Sequence, residues 1–398
     1  MILLQKLYRI LKKQWKLILG AILVVLLLFY QLFWLLIGIG SILLLYLLLS
    51  YLIKRIKNKL LSKIAKGFTF FILIFVISIS MKLFVFGVFR IPSSSMENTL
   101  YPEDIILVNK LSYGPKLPTT PFEIPWINFL FYLNDNARSD MDKEWWDYKR
   151  FSGVNKIKQG DVLVFQESRT FFVVKRCVGL PGDIFKMIDG EIYTGTKKYK
   201  APLSIKEKYI ITVKNKSTFY KQTDSLKTES MLYLTTTVDN GIEGVLSEKE
   251  FQEIQQLSSI ESIKKKVEKE RKKGELFFGE NNYNWTIDTM GPFTIPKKGL
   301  QIELNKKTFN VYANTLQQFE NVQLEKREGS YFLDGAKVSN YTFKKDYIFV
   351  MGDNRKNSKD SRYTGFVPVE SIIGKVQCVL YSNYNDTFNW SRLFKGVN

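Results

Sequence analysis

The 398-residue sequence contains no histidine, so a serine nucleophile in this chain cannot be activated by the imidazole base of a Ser-His-Asp triad. It does carry a serine-rich turn, Ile91-Pro92-Ser93-Ser94-Ser95-Met96, directly after an apolar run of membrane length. Further on, Phe171-Phe172-Val173-Val174-Lys175-Arg176 reads as a strand that sets a lysine among apolar neighbours. Desolvation there disfavours the ammonium form and lowers the lysine pKa, and a neutral amine can take a proton from a serine hydroxyl. Each piece alone has a plainer reading. A serine run before a methionine is commonly only a turn, and a lysine on an apolar strand commonly snorkels its ammonium to water. Together they point to hydrolysis by a serine and a lysine, held beyond a membrane anchor.

The anchor follows from hydropathy and charge. Residues 17–53 are apolar almost without interruption, Gln31 being the main polar exception, and residues 68–89 form a second run. About 20 apolar residues span a bilayer core, so the second run fits one crossing and the first is nearly twice that length. The net charge of +20 would fit a nucleic-acid binder were it spread over a soluble domain. Instead no Asp or Glu precedes Glu97, and 13 of the 58 Lys and Arg lie between Lys6 and Arg90, which leaves 45 against 38 acidic residues. The excess flanks the apolar runs, in Met1–Lys16 and Lys54–Lys66, as cytoplasmic charge does under the positive-inside rule. No nucleic-acid partner is expected.

With both flanks of residues 17–53 on the cytoplasmic side, the run folds as a hairpin of two helices of about 18 residues each, near the lower limit for a span. The turn falls near Tyr30–Trp34 or at Gly38-Ile39-Gly40-Ser41. The competing arrangement is a single tilted span, which would put Lys54–Lys66 outside. The run is too long for the apolar region of a cleaved signal peptide. Residues 68–89 then cross outward and bring Ser95 to the outer face. No further span follows Val379, so the C-terminus is expected on that side.

From Arg90 onward, short alternating segments with turn signals predict a mainly β domain. Asp104–Asn109 reads as a strand. A Pro-rich stretch from Ser112 to Pro125 follows, then an aromatic cluster of Trp126, Phe129, Phe131, Tyr132, Trp145, Trp146 and Phe151. Such a cluster either rests on the lipid interface or packs as a core beneath a long loop. Lys158–Phe165 is a turn feeding a buried strand, and the Lys175 strand ends at Gly179-Leu180-Pro181-Gly182-Asp183. Tyr347–Met351 is a strand that runs into the polar loop Gly352–Arg362. The expected order is a basic N-terminus (1–16), a transmembrane hairpin (17–53), a basic loop (54–67) and a transmembrane helix (68–89). A domain built from 90–183 and 344–398 follows, with 184–343 as an inserted α+β accessory domain. Within the insertion, Ser247–Gly274 reads as one amphipathic helix: Ser247 and Glu250 form a capping box, and Phe251, Ile254, Leu257, Ile263 and Val267 recur at helical spacing.

Cys177 and Cys378 both sit in apolar strand contexts where free thiols are common, and a disulfide between them stays open. With no histidine and two distant cysteines, no metal site is expected.

In family order, Arg90–Leu100, Gly160–Phe165, Lys175–Asp183 and Met351–Pro368 resemble bacterial signal peptidase I, the serine-lysine endopeptidase family that removes signal peptides from exported preproteins. The resemblance implies Ser95 as nucleophile and Lys175 as general base. It implies that the Ser93 hydroxyl joins the Ser95 backbone N–H in an oxyanion hole and that Ser358 orients the lysine amine. By the same resemblance Arg176, Asp353, Asp360 and Arg362 brace the site through salt bridges. Ile91, Met96, Leu100 and Val174 would line a shallow pocket that accepts small side chains, giving cleavage of the Ala-x-Ala type through an acyl-enzyme. No cofactor is implied. Its partners would be secreted preproteins, membrane lipid and the secretion translocon, at the bacterial cytoplasmic (inner) membrane with the catalytic domain outside. Two positions depart from the pattern: Ser94 stands where glycine is usual, and Asn98 where proline is usual. A self-cleaving regulator with the same chemistry would need a soluble chain, and an inactive membrane scaffold would not need Ser93, Ser95, Lys175 and Ser358 together.

Overall fold

The computed structural model describes residues 2–141, 143–168, 171–226, 233–236, 241–270, 276, 284–384 and 388–397. They form two compact units, Met1–Gly87 with Asn109–Lys156, and Val88–Val108 with Ile157–Asn398.

In the first unit, the apolar N-terminal sequence folds as α1 (Ile2–Phe29), α2 (Phe33–Lys54) and α3 (Lys59–Ser80), the last extended by a wider turn over Met81–Val85. The α1–α2 turn is Tyr30-Gln31-Leu32, the first of the two expected positions; Gly38–Ser41 lies inside α2. Gln31 takes the left-handed conformation (φ 55) that closes this turn. Helix α3 begins well before residue 68, because nothing between Lys59 and Lys66 breaks a helix and Asn58 caps its start. The Asn58 Oδ1 accepts from the Leu60 and Leu61 amides at 2.9 and 3.1 Å. Phe33–Lys54 and Lys59–Val85 are long and apolar enough to cross a bilayer, whereas the apolar part of α1, Gln14–Phe29, is shorter. Of the described residues of α2 and α3, only Ile53 and Thr69 are buried, and Leu27 is buried in α1.

The aromatic segment is packed in part and exposed in part. Phe122 is buried and meets Phe131, Tyr132 and Trp145 with ring centroids 6.0, 5.0 and 6.5 Å away. Trp126, Phe129, Leu130 and Leu133 remain exposed.

The second unit is built on a seven-stranded sheet. Its strands are β1 (Phe86–Arg90), β2 (Ile105–Asn109), β3 (Val162–Gln166), β4 (Phe172–Gly179), β5 (Tyr347–Met351), β6 (Val367–Pro368) and β7 (Ile372–Tyr381). They lie in the order β1-β2-β7-β3-β4-β5-β6. Antiparallel register sets Lys175 opposite Leu163 on β3, and Arg176 opposite Val162 on β3 and Met351 on β5. Successive strand residues point to opposite faces, so Lys175 and Arg176 serve different surroundings.

Residues 184–343 hold smaller sheets. Ile184–Ile188, Glu191–Thr194, Lys197–Lys198 and Met290–Thr294 form one. Its aromatic side chains join the core of the main sheet: Phe185 lies 4.4 Å from Phe349, and Phe293 5.5 Å from Phe366. A second sheet, containing Lys206–Val213, Ile242–Ser247 and Ile260–Lys265, encloses its own core of Ile211, Phe219, Ile242, Leu246 and Ile254.

Here the expected helix Ser247–Gly274 is corrected. The Ser247–Glu250 capping box forms, but the helix spans only Glu248–Gln255, and Ile260–Lys265 is a strand paired with Lys206–Val213. The chain turns through Gln256–Ser259, and the isoleucines beyond fit an open sheet edge as well as they fit a helix face. Gly274, read as the helix stop, lies outside the described residues. Cys177 and Cys378 are free thiols in this fold.

Candidate active site

The turn that carries Ser95 is pinned from three sides. The Ile91 amide donates to Asp104 O and the Glu103 amide to Ile91 O, each at 2.8 Å, which fixes the chain as it enters the turn. Ser93 is extended (φ −141, ψ 162), and Ser94–Met96 form a single tight helical turn. Met96 is buried with Ile91, Val162, Val164 and Val376, a plug that sets the height of the neighbouring Ser95. From the polar loop after β5, the Asn354 amide donates to Ser95 O at 3.0 Å.

On this frame the Lys175 ammonium lies 2.8 Å from Ser95 Oγ and donates also to Val174 O at 3.1 Å. Ser93 Oγ stands 3.3 Å from Ser95 Oγ. Lys175 is only 5% exposed. Burial pulls its pKa below the ordinary lysine value, and the charges of Asp360, Glu167 and Asp353 pull it part of the way back. A lysine that loses its proton more easily, at hydrogen-bond distance from a serine hydroxyl, can accept that hydroxyl's proton.

Two buried ion pairs hold the loop beside the lysine. Arg176 donates to both oxygens of Asp353, at 2.8 and 2.6 Å, and to Gly160 O at 2.7 Å. Arg362 donates to both oxygens of Asp360, at 2.8 and 2.9 Å, and to Arg355 O at 2.6 Å. The Gly352 amide adds a bond to Asp360 at 3.0 Å. Burial pushes the Asp360 carboxyl up, but the Arg362 guanidinium outweighs it and holds the group below the usual carboxylate range.

Ser358 sits on the same loop, buried. Its hydroxyl is buried and makes no hydrogen bond among the described residues, to Lys175 or to Asp360. A groove of about 440 Å³ opens over Ser93, Ser95 and Lys175. Ile91, Met96 and Val174 line it, together with Phe89 and Phe172, whose rings meet edge-on at 5.2 Å. Leu100 does not reach the groove; it is fully buried behind the others.

Several contacts were not foreseen from sequence. Gly352 lies so close to the site that a Cβ there would stand 2.2 Å from Ser358 Oγ and 2.5 Å from Ser95 O. Asn357 donates to the Ser94 hydroxyl at 2.8 Å, a bond that glycine at position 94 would lack. Lys206 and Glu97, both buried, form an ion pair at 3.5 Å beneath the serine turn. Asn98 has φ 72, a left-handed conformation that asparagine tolerates and the proline ring forbids. The adjacency of Gly352 to Asp353 and Asn354 was visible as a turn signal; the other contacts join residues far apart in sequence and carried no local mark.

Comparison with known proteins gives a consistent result. The model of the family described as signal peptidase, peptidase S26, matches residues 63–288 and 290–381. Signal peptidase I of Buchnera aphidicola subsp. Baizongia pistaciae is 28% identical over 335 residues, covering 84% of this chain and 78% of the relative. Signal peptidase I of Haemophilus influenzae is 23% identical over 315 residues, 78% of this chain and 68% of that protein. A short stretch of 36 residues, 9% of this chain, is 64% identical to 14% of signal peptidase I of Aquifex aeolicus.

Proposed function

This chain belongs to the signal peptidase family, peptidase S26, and from that premise we propose that it removes signal peptides from exported preproteins by a serine-lysine mechanism. The observation that carries the proposal is the 2.8 Å contact between Lys175 Nζ and Ser95 Oγ on the floor of an open groove. Neutral Lys175 takes the Ser95 proton as Oγ attacks the scissile carbonyl. The carbonyl oxygen, now negative, is held by the Ser95 N–H and the Ser93 hydroxyl. Lysine returns the proton to the leaving amine as the acyl-enzyme forms, and then activates the water that releases the signal peptide. Ser358, whose buried hydroxyl has no other partner among the described residues, would orient the lysine amine once it turns toward it. Arg176, Asp353, Asp360 and Arg362 are placed to keep the loop rigid, not to exchange protons.

The groove supports a preference for small residues before the cut. Ile91, Met96 and Val174 are packed side chains with little room to retreat, and a pocket that excludes large groups by clash discriminates better than one that attracts a methyl. An extended preprotein segment adding to the exposed strand edge beside Val173 and Val174 would bring an Ala-x-Ala site to Ser95. The helices Phe33–Lys54 and Lys59–Val85, apolar and exposed along nearly their whole length, support a membrane anchor. The basic residues near Lys54–Lys66 favour the cytoplasmic side of an inner membrane for that end. Signal peptides are themselves lipid-anchored, so a membrane-bound peptidase meets them in place, beside the secretion translocon.

The test is cleavage of a preprotein bearing an Ala-x-Ala site by the detergent-solubilised protein, beside Ser95→Ala and Lys175→Ala. Cleavage after the second alanine by the parent alone is expected. If parent and variants all bind the preprotein but none cleaves it, the protein is a scaffold and not a peptidase.

A further inference from the structure

We propose that the lobe Pro121–Trp146 is a second membrane-contacting element, a shallow interfacial anchor seated on lipid at the level of the α1–α2 turn. The proposal rests on the membrane-anchored reading of α2 and α3, and everything else in it comes from the lobe itself. The first observation is an inverted surface. Trp126, Phe129, Leu130 and Leu133 follow the i, i+3, i+4, i+7 spacing of one helical face, around the short helix Asn128–Tyr132. That face should be the buried one; here the four side chains are 60%, 62%, 65% and 68% exposed. Trp145 and Trp146 extend the patch, and their amides both donate to Thr119 O, at 2.9 and 3.0 Å, so the rings are held in place. Phe122 supports the patch from beneath.

The second observation fixes its height. The base of the stem that carries the lobe is bolted to the helix turn: Trp34 stacks on Phe151 at 4.9 Å and 5°, and Trp34 Nε1 donates to Ser152 O at 3.1 Å. Ser152 Oγ donates to Gln31 O at 3.0 Å. Phe84, at the far end of α3, lies 6.1 Å from Trp34 and 6.3 Å from Phe151. The α1–α2 turn and the end of α3 therefore stand at one level, and apolar helices that cross a bilayer must place that level at its surface. Tryptophan and tyrosine favour this depth because their rings are apolar while their polar atoms reach headgroups.

Charge identifies the occupant further. Pro121–Trp146 contains Glu123, Asp135, Asp140, Asp142 and Glu144 against only Arg138 and Lys143. Such a lobe is repelled by anionic headgroups, so its seating is apolar, better on zwitterionic lipid and there independent of salt.

The experiment uses the full chain in phosphatidylcholine nanodiscs, carrying bimane at Leu130→Cys, Asn136→Cys or, within α2, Leu44→Cys. Background labelling of Cys177 and Cys378 is taken from the parent. The Leu130 label is expected to be quenched most by nitroxide at shallow lipid positions, to be shielded from iodide and to be unchanged in 1 M KCl. The Asn136 label should stay open to iodide, and the Leu44 label should be quenched by deep nitroxide. A Leu130 label open to iodide and untouched by lipid, with Leu44 still quenched, overturns the interfacial lobe and leaves the anchor standing. Shielding of Leu130 from both quenchers means that protein covers the patch, which overturns it too. An unquenched Leu44 label removes the anchor reading itself. Leu133→Cys serves as a second probe if the Leu130 variant does not fold.

Discussion

Lys175 Nζ and Ser95 Oγ stand 2.8 Å apart although eighty positions separate them in the chain, and this contact makes a pH prediction. The proposed mechanism requires the amine neutral, and burial lowers the lysine pKa, so activity should rise with pH along a limb lying below the ordinary lysine value of about 10.4. Cleavage of a preprotein from pH 5 to 10 measures it. A flat profile between about pH 6 and 9 would remove lysine as the base.

The same burial makes Lys175 a cost to the fold. Its folded pKa lies below the unfolded one, so the unfolded chain binds more protons, and stability rises with pH across the window between the two values. Lys175→Met should therefore unfold at a higher temperature than the parent at pH 7, while kcat drops by about 10²–10⁴, the usual worth of a general base. A variant that is both inactive and less stable would mean that the lysine holds the fold rather than the chemistry.

Under the proposed mechanism, Ser93→Ala separates oxyanion support from substrate binding. Losing one oxyanion donor costs about 10²–10³ in kcat. KM should change little, since the hydroxyl meets charge only as the tetrahedral intermediate forms. A rise in KM with unchanged kcat would place Ser93 in ground-state binding instead.

The paired arginines predict acid behaviour. Asp360 is held below the usual carboxylate range by Arg362, so the stability it contributes is present above the unfolded carboxyl value, about 4, and is lost as pH falls through the lower folded value. Asp360→Asn should remove about 3–5 kcal/mol at pH 7 by leaving Arg362 buried and unpaired. The deficit relative to the parent should shrink as the pH is lowered toward 2. Urea melts of both proteins across that range decide it.

How far the sequence could be read depended on whether a feature was local. The serine turn, the Lys175 strand and the polar loop after β5 each announce themselves within about a dozen residues and lie where local patterning put them, whereas the helix of the second apolar run starts earlier, at Lys59. The strand Ile260–Lys265 does not announce itself. Its isoleucines fit a helix continued from Ser247 until an open edge at Lys206–Val213 competes for them, and no local signal records that edge. Leu100 reads as one more apolar residue near the serine, yet packing turns it behind the groove. Gly352 illustrates the opposite limit: its type was plain, but its reason, contact with both Ser358 and Ser95, exists only in three dimensions.

Lys206 is the last such residue, and it ties residues 184–343 to the chemistry. Its side chain is fully buried and pairs at 3.5 Å with Glu97, two positions after Ser95. Its backbone donates to Asp353 O at 2.8 Å and accepts from the Arg355 amide at 3.0 Å. Lys206→Met keeps the backbone contacts but leaves Glu97 with only the Asn354 side-chain amide, at 3.1 Å, to offset the burial that already pushes its carboxyl up. In the variant its pKa should rise further, which favours the protonated carboxyl in the folded state. A carboxyl raised on folding stabilises below its unfolded value and loses that contribution as pH climbs through the folded one. Lys206→Met should therefore be closer to the parent in stability at pH 5 than at pH 8, and adding Glu97→Gln should erase the difference. Preprotein cleavage by the single variant should weaken in parallel with its stability at pH 8 and recover in the double variant. A single variant with parental stability and activity at both pH values would show that Lys206 is dispensable to the serine turn.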